Sequence, residues 1–387
     1  MQEHLNIQTI MKHFASSTGL TDLSREPRRY LWTDAFAVCN YLELYRQTGV
    51  QECLELAIRL VTQVHQVLGK HRKDSTHAGW MSGLDEIKAQ QHPTSGGLRI
   101  GKKLNERQPN DPIDESLEWE QDGQYFHYLT KWMHALNCVS QVTGNSIYNR
   151  WAIELAKVTH AKFTYTPSGS DRKRIYWKMS IDLSRPLVSS MGHHDPLDGF
   201  ITYQQLEATG KHFSSQLSLK TEIEDMSIMC SGEKWATKDS LGMGGLLTDA
   251  HKLVQLIDIH HLEVSDMLEL LLQDSEYSLQ SFAAHNQLNF PAEYRLAFRE
   301  LGLSIGLHAI SSMQNKIKKH PSHFKNADAL SSILTRLSHF FPISELIDTF
   351  WSQAEHRLVQ SWLDHEDINN VMLATSLAPK YLILKTL

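Results

Sequence analysis

The sequence reads Thr48-Gly49-Val50-Gln51-Glu52-Cys53-Leu54-Glu55-Leu56-Ala57-Ile58-Arg59-Leu60 in one place and Thr143-Gly144-Asn145-Ser146-Ile147-Tyr148-Asn149-Arg150-Trp151-Ala152-Ile153-Glu154-Leu155 in another. In both stretches an Ala-Ile-x-Leu tetrad begins eight residues after the glycine of a Thr-Gly pair. A glycine just past a helix end accommodates the left-handed conformation that stops a helix. Each stretch therefore predicts a helix that ends at the Thr-Gly pair and a second helix that folds back beside it. A third pair, Thr209-Gly210, predicts another helix end, although Ser218 replaces the alanine there.

Apolar residues recur with the period of an α-helix along nearly the whole chain. Ala57, Leu60, Val61 and Val64, for example, mark one face of a predicted helix. On this basis we predict twelve helices, over residues 30–48, 51–69, 122–143, 145–163, 197–209, 213–230, 239–257, 262–284, 291–315, 323–340, 343–359 and 366–384. Their connections are mostly short enough to pair neighbours, which predicts an all-α ring of six helical hairpins.

Two predicted helices carry glycines in their interiors, in Leu241-Gly242-Met243-Gly244-Gly245-Leu246 and Leu301-Gly302-Leu303-Ser304-Ile305-Gly306-Leu307. A glycine inside a helix costs about 1 kcal/mol relative to alanine. Its repeated use predicts that inner helices of the ring approach one another closely.

Composition excludes several classes of protein. The formal net charge of -6 argues against general nucleic-acid binding. No run of about 18 apolar residues predicts a membrane span, and the start Met1-Gln2-Glu3-His4-Leu5 lacks the pattern of a signal peptide. The four cysteines fall in apolar helical patterns without a CxxC pair, so we expect buried thiols, a reducing cytoplasmic compartment and no structural zinc.

Two long segments interrupt the helical pattern. The first insertion covers residues 70–121 and the second covers residues 166–196. Within the second, residues 174–181 alternate like a short β-strand. Structureless segments of this length in a compact domain are usually functional. Each joins the outer helix of one hairpin to the inner helix of the next, so both should meet on one face, over the central cavity of the ring.

The twelve predicted helices, with Trp- and Gly-bearing inner helices, resemble the (α/α)6 toroids of the six-hairpin glycosidase superfamily. That group includes unsaturated glucuronyl hydrolases, and N-acylglucosamine 2-epimerases are similar in architecture. The resemblance covers residues of about 30–385 and rests on architecture rather than on a short motif. It implies an N-terminal extension at 1–29, a single toroid domain at 30–387 and a sugar-binding cavity.

Carboxylates concentrate where the first insertion enters the second inner helix. The segment contains Glu118, Trp119, Asp122, Tyr125 and His127. Glycoside cleavage needs two placed carboxyl groups, and aromatic faces suit the C–H surfaces of sugars. Acidic residues are also common at helix N-termini for purely electrostatic reasons. Within this segment Asp122 is our first choice for a catalytic acid.

A second candidate segment closes the second insertion. It reads Ser189-Ser190-Met191-Gly192-His193-His194-Asp195-Pro196-Leu197-Asp198-Gly199. Asp195 and Pro196 suit the start of a helix, but this explanation leaves the two histidines and Asp198 without a role. We predict that His193, His194, Asp195 and Asp198 contribute to catalysis. A metal ion is not expected, because no fixed ligand spacing is present.

Basic and aromatic residues of the insertions complete the predicted site. Arg99, Lys102, Lys103, Arg172, Lys173 and Arg174 would hold an anionic group such as a uronate or phosphate, unless they are solvated loop charges. Trp80, Trp119, Trp177 and Trp235 precede or begin inner helices and are predicted to contact substrate.

These patterns favour a carbohydrate-active enzyme acting on a small sugar or an oligosaccharide, acidic sugars included, without a cofactor. Hydrolysis by Asp122 paired with Asp195 or Asp198 is the first prediction. A carboxyl separation of about 5–5.5 Å would suit a retaining mechanism and about 6.5–9.5 Å an inverting one. Two alternatives remain open: an epimerase or lyase that uses His193 or His194 as base, and a non-catalytic helical binding scaffold.

Overall fold

The computed structural model describes residues 6–22, 24–285 and 287–378. Its helices are α1 (Ile7–Ser17), α2 (Leu31–Thr48), α3 (Gln51–Leu68), α4 (Glu86–Gln91), α5 (Glu115–Glu120), α6 (Phe126–Thr143), α7 (Ser146–Phe163), α8 (Asp195–His212), α9 (Lys220–Cys230), α10 (Ser240–His260), α11 (Ser265–Ala284), α12 (Ala297–Lys319), α13 (Ala327–Ser338), α14 (Phe341–Ser352), α15 (Gln360–Leu363) and α16 (Glu366–Leu377). The strands are β1 (Gln124–Tyr125), β2 (Thr164–Tyr165), β3 (Arg174–Ile175), β4 (Lys178–Met179) and β5 (Pro186–Val188). The prediction of an all-α protein is confirmed. The β structure forms two small sheets rather than one, and the predicted strand at 174–181 is divided between β3 and β4, which belong to different sheets.

The chain folds into two compact units. Among the described residues, the N-terminal unit spans Ala15–Gly232, and the C-terminal unit contains residues 233–378 together with residues 6–14. An extension at 1–29 and a single domain at 30–387 therefore stay predictions. Among the described residues, no helix combines the length and apolarity needed to cross a membrane.

Helical hairpins build the N-terminal unit, with α2 packed on α3 and α6, α6 on α7 and α8, and α8 on α9. The first hairpin turns at Gly49, whose φ of 70° is left-handed and whose N–H donates to the Tyr45 carbonyl. Gly144 ends α6 with the same φ of 70°. Both predicted glycine helix ends are confirmed, because a residue without a Cβ adopts this conformation at little cost.

The predicted helix end at Thr209-Gly210 is wrong. Helix α8 continues to His212 and ends at Phe213. Gly210 instead lies against the side chains of Ile153 and Asn149 on α7. Here the missing Cβ permits close packing between helices. The Thr-Gly pattern alone does not distinguish this packing role from a helix end.

The two insertions contact each other, as predicted, through the ion pair of Lys178 with Glu118 and the hydrogen bond from the Ile181 N–H to Glu106. A small three-stranded sheet joins the second insertion to the residues that follow the first. Strand β4 of the second insertion pairs antiparallel with β1, through Gln124 opposite Met179, and also with β5. The predicted helix at 122–143 begins only at Phe126, because the extended backbone of Gln124 and Tyr125 belongs to this sheet.

Within the C-terminal unit, α10 and α12 pack over most of their length. A β-carbon on Gly244 would overlap the carbonyl group of Gly302, and one on Gly306 would lie 2.6 Å from the Gly244 carbonyl oxygen. The predicted close approach of glycine-bearing helices is confirmed. The predicted helix over 366–384 is present as α16, while its last residues lie outside the described ranges.

Candidate active site at the N-terminus of helix α8

Asp122, the first choice for a catalytic acid, is buried within the first insertion. Its Oδ2 accepts hydrogen bonds from Arg99 at 2.9 Å and Arg72 at 3.3 Å. Its Oδ1 accepts from the backbone N–H groups of Gly101 at 2.9 Å and Lys102 at 3.3 Å. Four donors therefore surround this carboxylate, an arrangement that holds the first insertion in shape.

Other predicted residues of the first insertion also have structural partners. The Trp80 indole donates to Glu86 at 2.7 Å and is buried. Arg99 also donates to the Val67 and Lys70 carbonyls. Glu118 is buried and pairs with Lys178 at 2.9 Å and with Arg107 at 3.0 Å. These contacts join the insertions to each other and to α3.

Asp195 and Asp198 lie in the first turn of α8, where Pro196 starts the helix without needing a backbone donor. We call them the α8 acid pair. Their spacing of three residues places both side chains on one face of the helix. Both are buried, and only 6% of the Asp195 side chain is exposed.

The two acids have different surroundings. Asp198 accepts a hydrogen bond from the Lys131 ammonium of α6 at 2.6 Å. Asp195 Oδ2 has no hydrogen-bond partner within the described ranges. Burial, and next the negative charge of Asp198, raise the pKa of Asp195 to about 8. Near pH 7 Asp195 is therefore a protonated carboxylic acid beside a carboxylate that is ion-paired.

His127 of α6 faces the acid pair. Its Nδ1 lies 3.8 Å from Asp195 Oδ1 and has no hydrogen-bond partner among the residues that the structure describes. Burial lowers the pKa of His127 to about 4. The imidazole is therefore neutral at pH 7, and 23% of its side-chain surface remains accessible.

Four aromatic rings surround His127. Tyr125 and Trp177 stack on it, with centroids at 5.4 and 6.0 Å. Tyr128 and Trp32 meet it edge-on, at 4.8 and 6.1 Å. We call these four rings the aromatic cluster. Trp119 extends it, since its ring lies 4.8 Å from Trp177 and half of its surface is exposed.

Three further predicted residues have other surroundings. His193 is exposed, and its ring lies 4.7 Å from the tilted ring of His194, whose backbone carbonyl accepts from the Asp198 N–H. Arg174 is exposed in β3. Trp235 belongs to the C-terminal unit, where it is buried and its backbone N–H donates to Asp274.

The sequence analysis missed Lys131, Trp32 and Tyr128. Lys131 stands four residues after His127 on α6, a spacing that puts both on one helical face. That signal was available, but a lysine in an amphipathic helix usually marks a solvated face. Trp32 fits an ordinary apolar pattern, so only the packing of α2 on α6 places it here.

Two groups of side chains within the described ranges have the geometry to hold a metal ion. One is Cys39, His134 and Cys138, and the other is Asp258, His320 and His323. Neither includes a member of the acid pair.

No family model matches the sequence, and no curated protein matches it. The fold is similar to that of a GH76 alpha-mannanase from Bacteroides thetaiotaomicron, with a TM-score of 0.50 and 11% identity over 97% of this chain and 96% of that one. Two cellobiose 2-epimerases also match. The one from Spirochaeta thermophila has a TM-score of 0.46 at 12% identity, covering 89% of this chain and 98% of its own. The one from Bacillus thermoamylovorans has a TM-score of 0.47 at 10% identity, covering 87% and 86%. The chain thus has the (α/α)6-toroid architecture that its helical pattern predicts.

Proposed function

We propose that this protein is a glycoside hydrolase in which Asp195 is the proton donor and Asp198 is the second carboxylate. The proposal is carried by one observation: two buried acids share a helical turn, yet Asp198 pairs with Lys131 while an oxygen of Asp195, whose pKa is raised by burial, has no hydrogen-bond partner in the described ranges. Pairs of acids whose environments separate their protonation states are the pattern expected of acid–base catalysis.

Asp195 has the properties of a general acid. Protonation of a leaving glycosidic oxygen requires a carboxyl group that keeps its proton near pH 7. Burial provides this, because it disfavours the charged form. Asp195 Oδ2 is buried and has no hydrogen-bond partner among the described residues, so no protein donor competes with a substrate oxygen for it.

Asp198 would act as nucleophile or base. Residues three apart on a helix have Cβ atoms about 5–6 Å apart, which is nearer to the carboxyl separation of retaining enzymes, about 5–5.5 Å, than to that of inverting ones. We therefore expect retention of anomeric configuration. In this proposal Asp122 supports the site through its arginine partners and is not a member of the catalytic pair.

The aromatic cluster would hold the sugar. Aromatic faces remove the C–H surface of a pyranose from water and leave its hydroxyl groups at the edge. Trp177 and the exposed Trp119 extend from the buried rings toward solvent, so they suit further sugar units of an oligosaccharide.

A second candidate function is epimerisation of a sugar, with His127 as the base. It is favoured by the neutral imidazole whose Nδ1 has no hydrogen-bond partner in the described part of the chain. Proton abstraction at a carbon next to a carbonyl needs an unprotonated base at pH 7. His127 meets this requirement, although its lowered pKa weakens it as a base. In this alternative the base would be His127 rather than His193 or His194.

The test is turnover of glycans by the full-length protein. Release of reducing ends is measured on α-mannan oligosaccharides and on a series of other α- and β-linked oligosaccharides, and the product anomer is read by NMR. Asp195→Asn and Asp198→Asn should each reduce kcat by about 10²–10⁴-fold. Asp171→Asn, at an exposed position of the second insertion, is the matched control and should leave turnover unchanged.

The alternatives give different results. An epimerase interconverts the sugar without cleavage and loses activity in His127→Gln. A binding scaffold retains a sugar, measured by calorimetry, but shows no turnover to lose. Normal glycan cleavage by the Asp195→Asn variant would overturn the proposed acid.

A further inference from the structure

A second cluster of side chains that could bind a metal ion lies between α2 and α6 in the N-terminal unit. It consists of Cys39, His134 and Cys138, whose donor atoms all lie within 4.8 Å of one another. All three residues are buried, with exposures of 3%, 4% and 8%. The proposed hydrolysis uses none of them.

Two packed helices bring the three residues together. His134 and Cys138 are four residues apart on α6, so their side chains lie on one face. Cys39 reaches them from α2, which packs along α6. The ligands come from distant parts of the sequence, so a search for a local motif such as CxxC could not find the cluster.

The spacing matches tetrahedral zinc. Zn–S bonds of about 2.3 Å and Zn–N bonds of about 2.0 Å at a tetrahedral angle separate sulfur and nitrogen by about 3.5 Å. Cys138 Sγ lies 3.4 Å from His134 Nε2. One ion could therefore contact both atoms without a change of helix position.

Gln205 of α8 orients the imidazole. Its side-chain oxygen lies 3.1 Å from His134 Nδ1, and the glutamine is itself almost fully buried, at 1% exposure. A proton on Nδ1 that is donated to this oxygen leaves the lone pair of Nε2 directed at the two sulfur atoms. A hydrogen bond to the other ring nitrogen is the usual partner of a metal-ligating histidine.

The group in the C-terminal unit differs in geometry. Asp258 Oδ1 lies 2.6 Å from His320 Nδ1 and 3.1 Å from His323 Nδ1, and Lys316 donates to Oδ2. These are hydrogen-bond distances, shorter than the roughly 3.3 Å that two oxygen or nitrogen ligands keep in a tetrahedral zinc site. The group is a hydrogen-bonded network around one carboxylate, and it serves below as a control.

We propose that Cys39, His134 and Cys138 bind one Zn²⁺ ion. Binding releases the two thiol protons to solvent, so two thiolates and a neutral imidazole surround the ion. The charges then sum to zero, which suits a buried position. Three protein ligands leave a fourth coordination position for water. The ion joins α2 to α6, the helices that carry Trp32 and His127, and this inference does not depend on the proposed hydrolysis.

Cobalt provides the direct test. The full-length protein is kept reduced, stripped with a chelator and titrated with Co²⁺ and then with competing Zn²⁺, while elemental analysis reports any zinc that the chelator leaves. We expect one equivalent of metal and a near-ultraviolet band from thiolate-to-cobalt charge transfer. Cys39→Ser and Cys138→Ser should lose the band. Gln205→Leu, which changes only the positioning residue, should weaken zinc binding roughly 10–100-fold.

Two variants serve as matched controls. Cys53→Ser changes a half-buried cysteine outside the cluster, and His320→Gln changes the C-terminal group; both should bind cobalt as the unaltered protein does. Circular dichroism checks the fold of each variant. Absence of a thiolate band in the unaltered protein would overturn the proposal even if the cysteine variants fail to fold. Metal binding that survives Cys39→Ser, or that disappears in His320→Gln, would also overturn it.

Discussion

At the scale of single residues, the chain uses two buried aspartates in opposite ways. Asp122 accepts four hydrogen bonds, two of them from guanidinium groups. Asp195 has an oxygen without a hydrogen-bond partner in the described ranges and lies against Gly192, where a β-carbon would come 2.5 Å from Oδ2. The neighbours, rather than burial itself, decide which of the two carboxyl groups has its hydrogen-bonding capacity filled.

Asp195→Asn should stabilise the protein near pH 7 while it removes activity. The pKa of Asp195 rises from 3.8 to about 8 on folding, so the folded state keeps a proton that the unfolded state has lost across this window. Stability therefore falls as pH rises from about 4 to about 8, by about 1.4 kcal/mol per unit. Asparagine does not titrate, so the free energy of unfolding of the variant at pH 7 should exceed that of the unaltered protein by on the order of a few kcal/mol.

Denaturant unfolding of both proteins between pH 4 and pH 8 measures this effect. At pH 4 the difference should fall below about 1 kcal/mol, because this pH lies close to the unfolded-state pKa of 3.8 and unfolding then releases only part of a proton. A difference that does not change with pH would contradict the raised pKa of Asp195.

Asp122→Asn should destabilise the protein. Loss of the negative charge leaves Arg72 and Arg99, whose side chains are only 12% exposed, beside an amide that cannot accept their hydrogen bonds as well. Removal of one partner of a buried ion pair costs about 3–5 kcal/mol. Urea unfolding would measure this loss, and Asp171→Asn should stay within about 0.5 kcal/mol of the unaltered protein. An Asp122→Asn protein that is fully stable but inactive would return Asp122 to the catalytic pair.

At the scale of secondary structure elements, the crossing of α10 and α12 depends on missing side chains. Gly244 of α10 faces the backbone of Gly302 on α12, where a β-carbon would overlap the carbonyl group. Gly245, the next residue, has no atom of the described residues within 4 Å of the position of its β-carbon. Adjacent glycines in one helix therefore have different constraints.

Substitution of these glycines should change stability in opposite directions. Gly244→Ala forces the helices apart and should cost about 1–3 kcal/mol or more. Gly245→Ala keeps the packing and should add up to about 1 kcal/mol through helix propensity. Thermal unfolding of the two variants makes the comparison, and equal effects would contradict the close contact at Gly244.

At the scale of the whole molecule, burial alternates along the chain. Helix α2 buries 14 of its 18 residues and α3 buries 7 of 18. The same alternation follows in α6 with 13 of 18 and α7 with 8 of 18. Further along the chain, α8 buries 14 of 18 residues and α9 only 3 of 11. Inner and outer helices thus differ in every hairpin of the N-terminal unit.

Amide hydrogen exchange should follow this alternation. Backbone hydrogen bonds in buried helices exchange only through large openings, whereas outer helices open locally. We expect α2, α6 and α8 to exchange more slowly than α3, α7 and α9, as measured by mass spectrometry of peptides from the full-length protein. Equal protection within each hairpin would contradict the assignment of inner and outer helices.

Local patterns were sufficient for much of this fold. Apolar periodicity predicts most helices, and the glycines at 49 and 144 mark real helix ends, because both depend on neighbours in the sequence. The same reasoning failed at Gly210, which has a packing role, and it began α9 too early, at 213 instead of Lys220. The contact between the insertions was predicted from connectivity alone, since connections on one face of a ring must meet.

Residue types along the chain identified Asp195, Asp198, His127 and the aromatic residues around them as candidates, because carboxylates, imidazoles and rings carry the relevant chemistry wherever they lie. Only the tertiary structure distinguished Asp195 from Asp122. Protonation depends on desolvation and on the charges within a few ångströms, and these come from residues as distant in sequence as Lys131 and Arg72. The cluster of Cys39, His134 and Cys138 also depends on tertiary packing, since its members become neighbours only when α2 packs on α6.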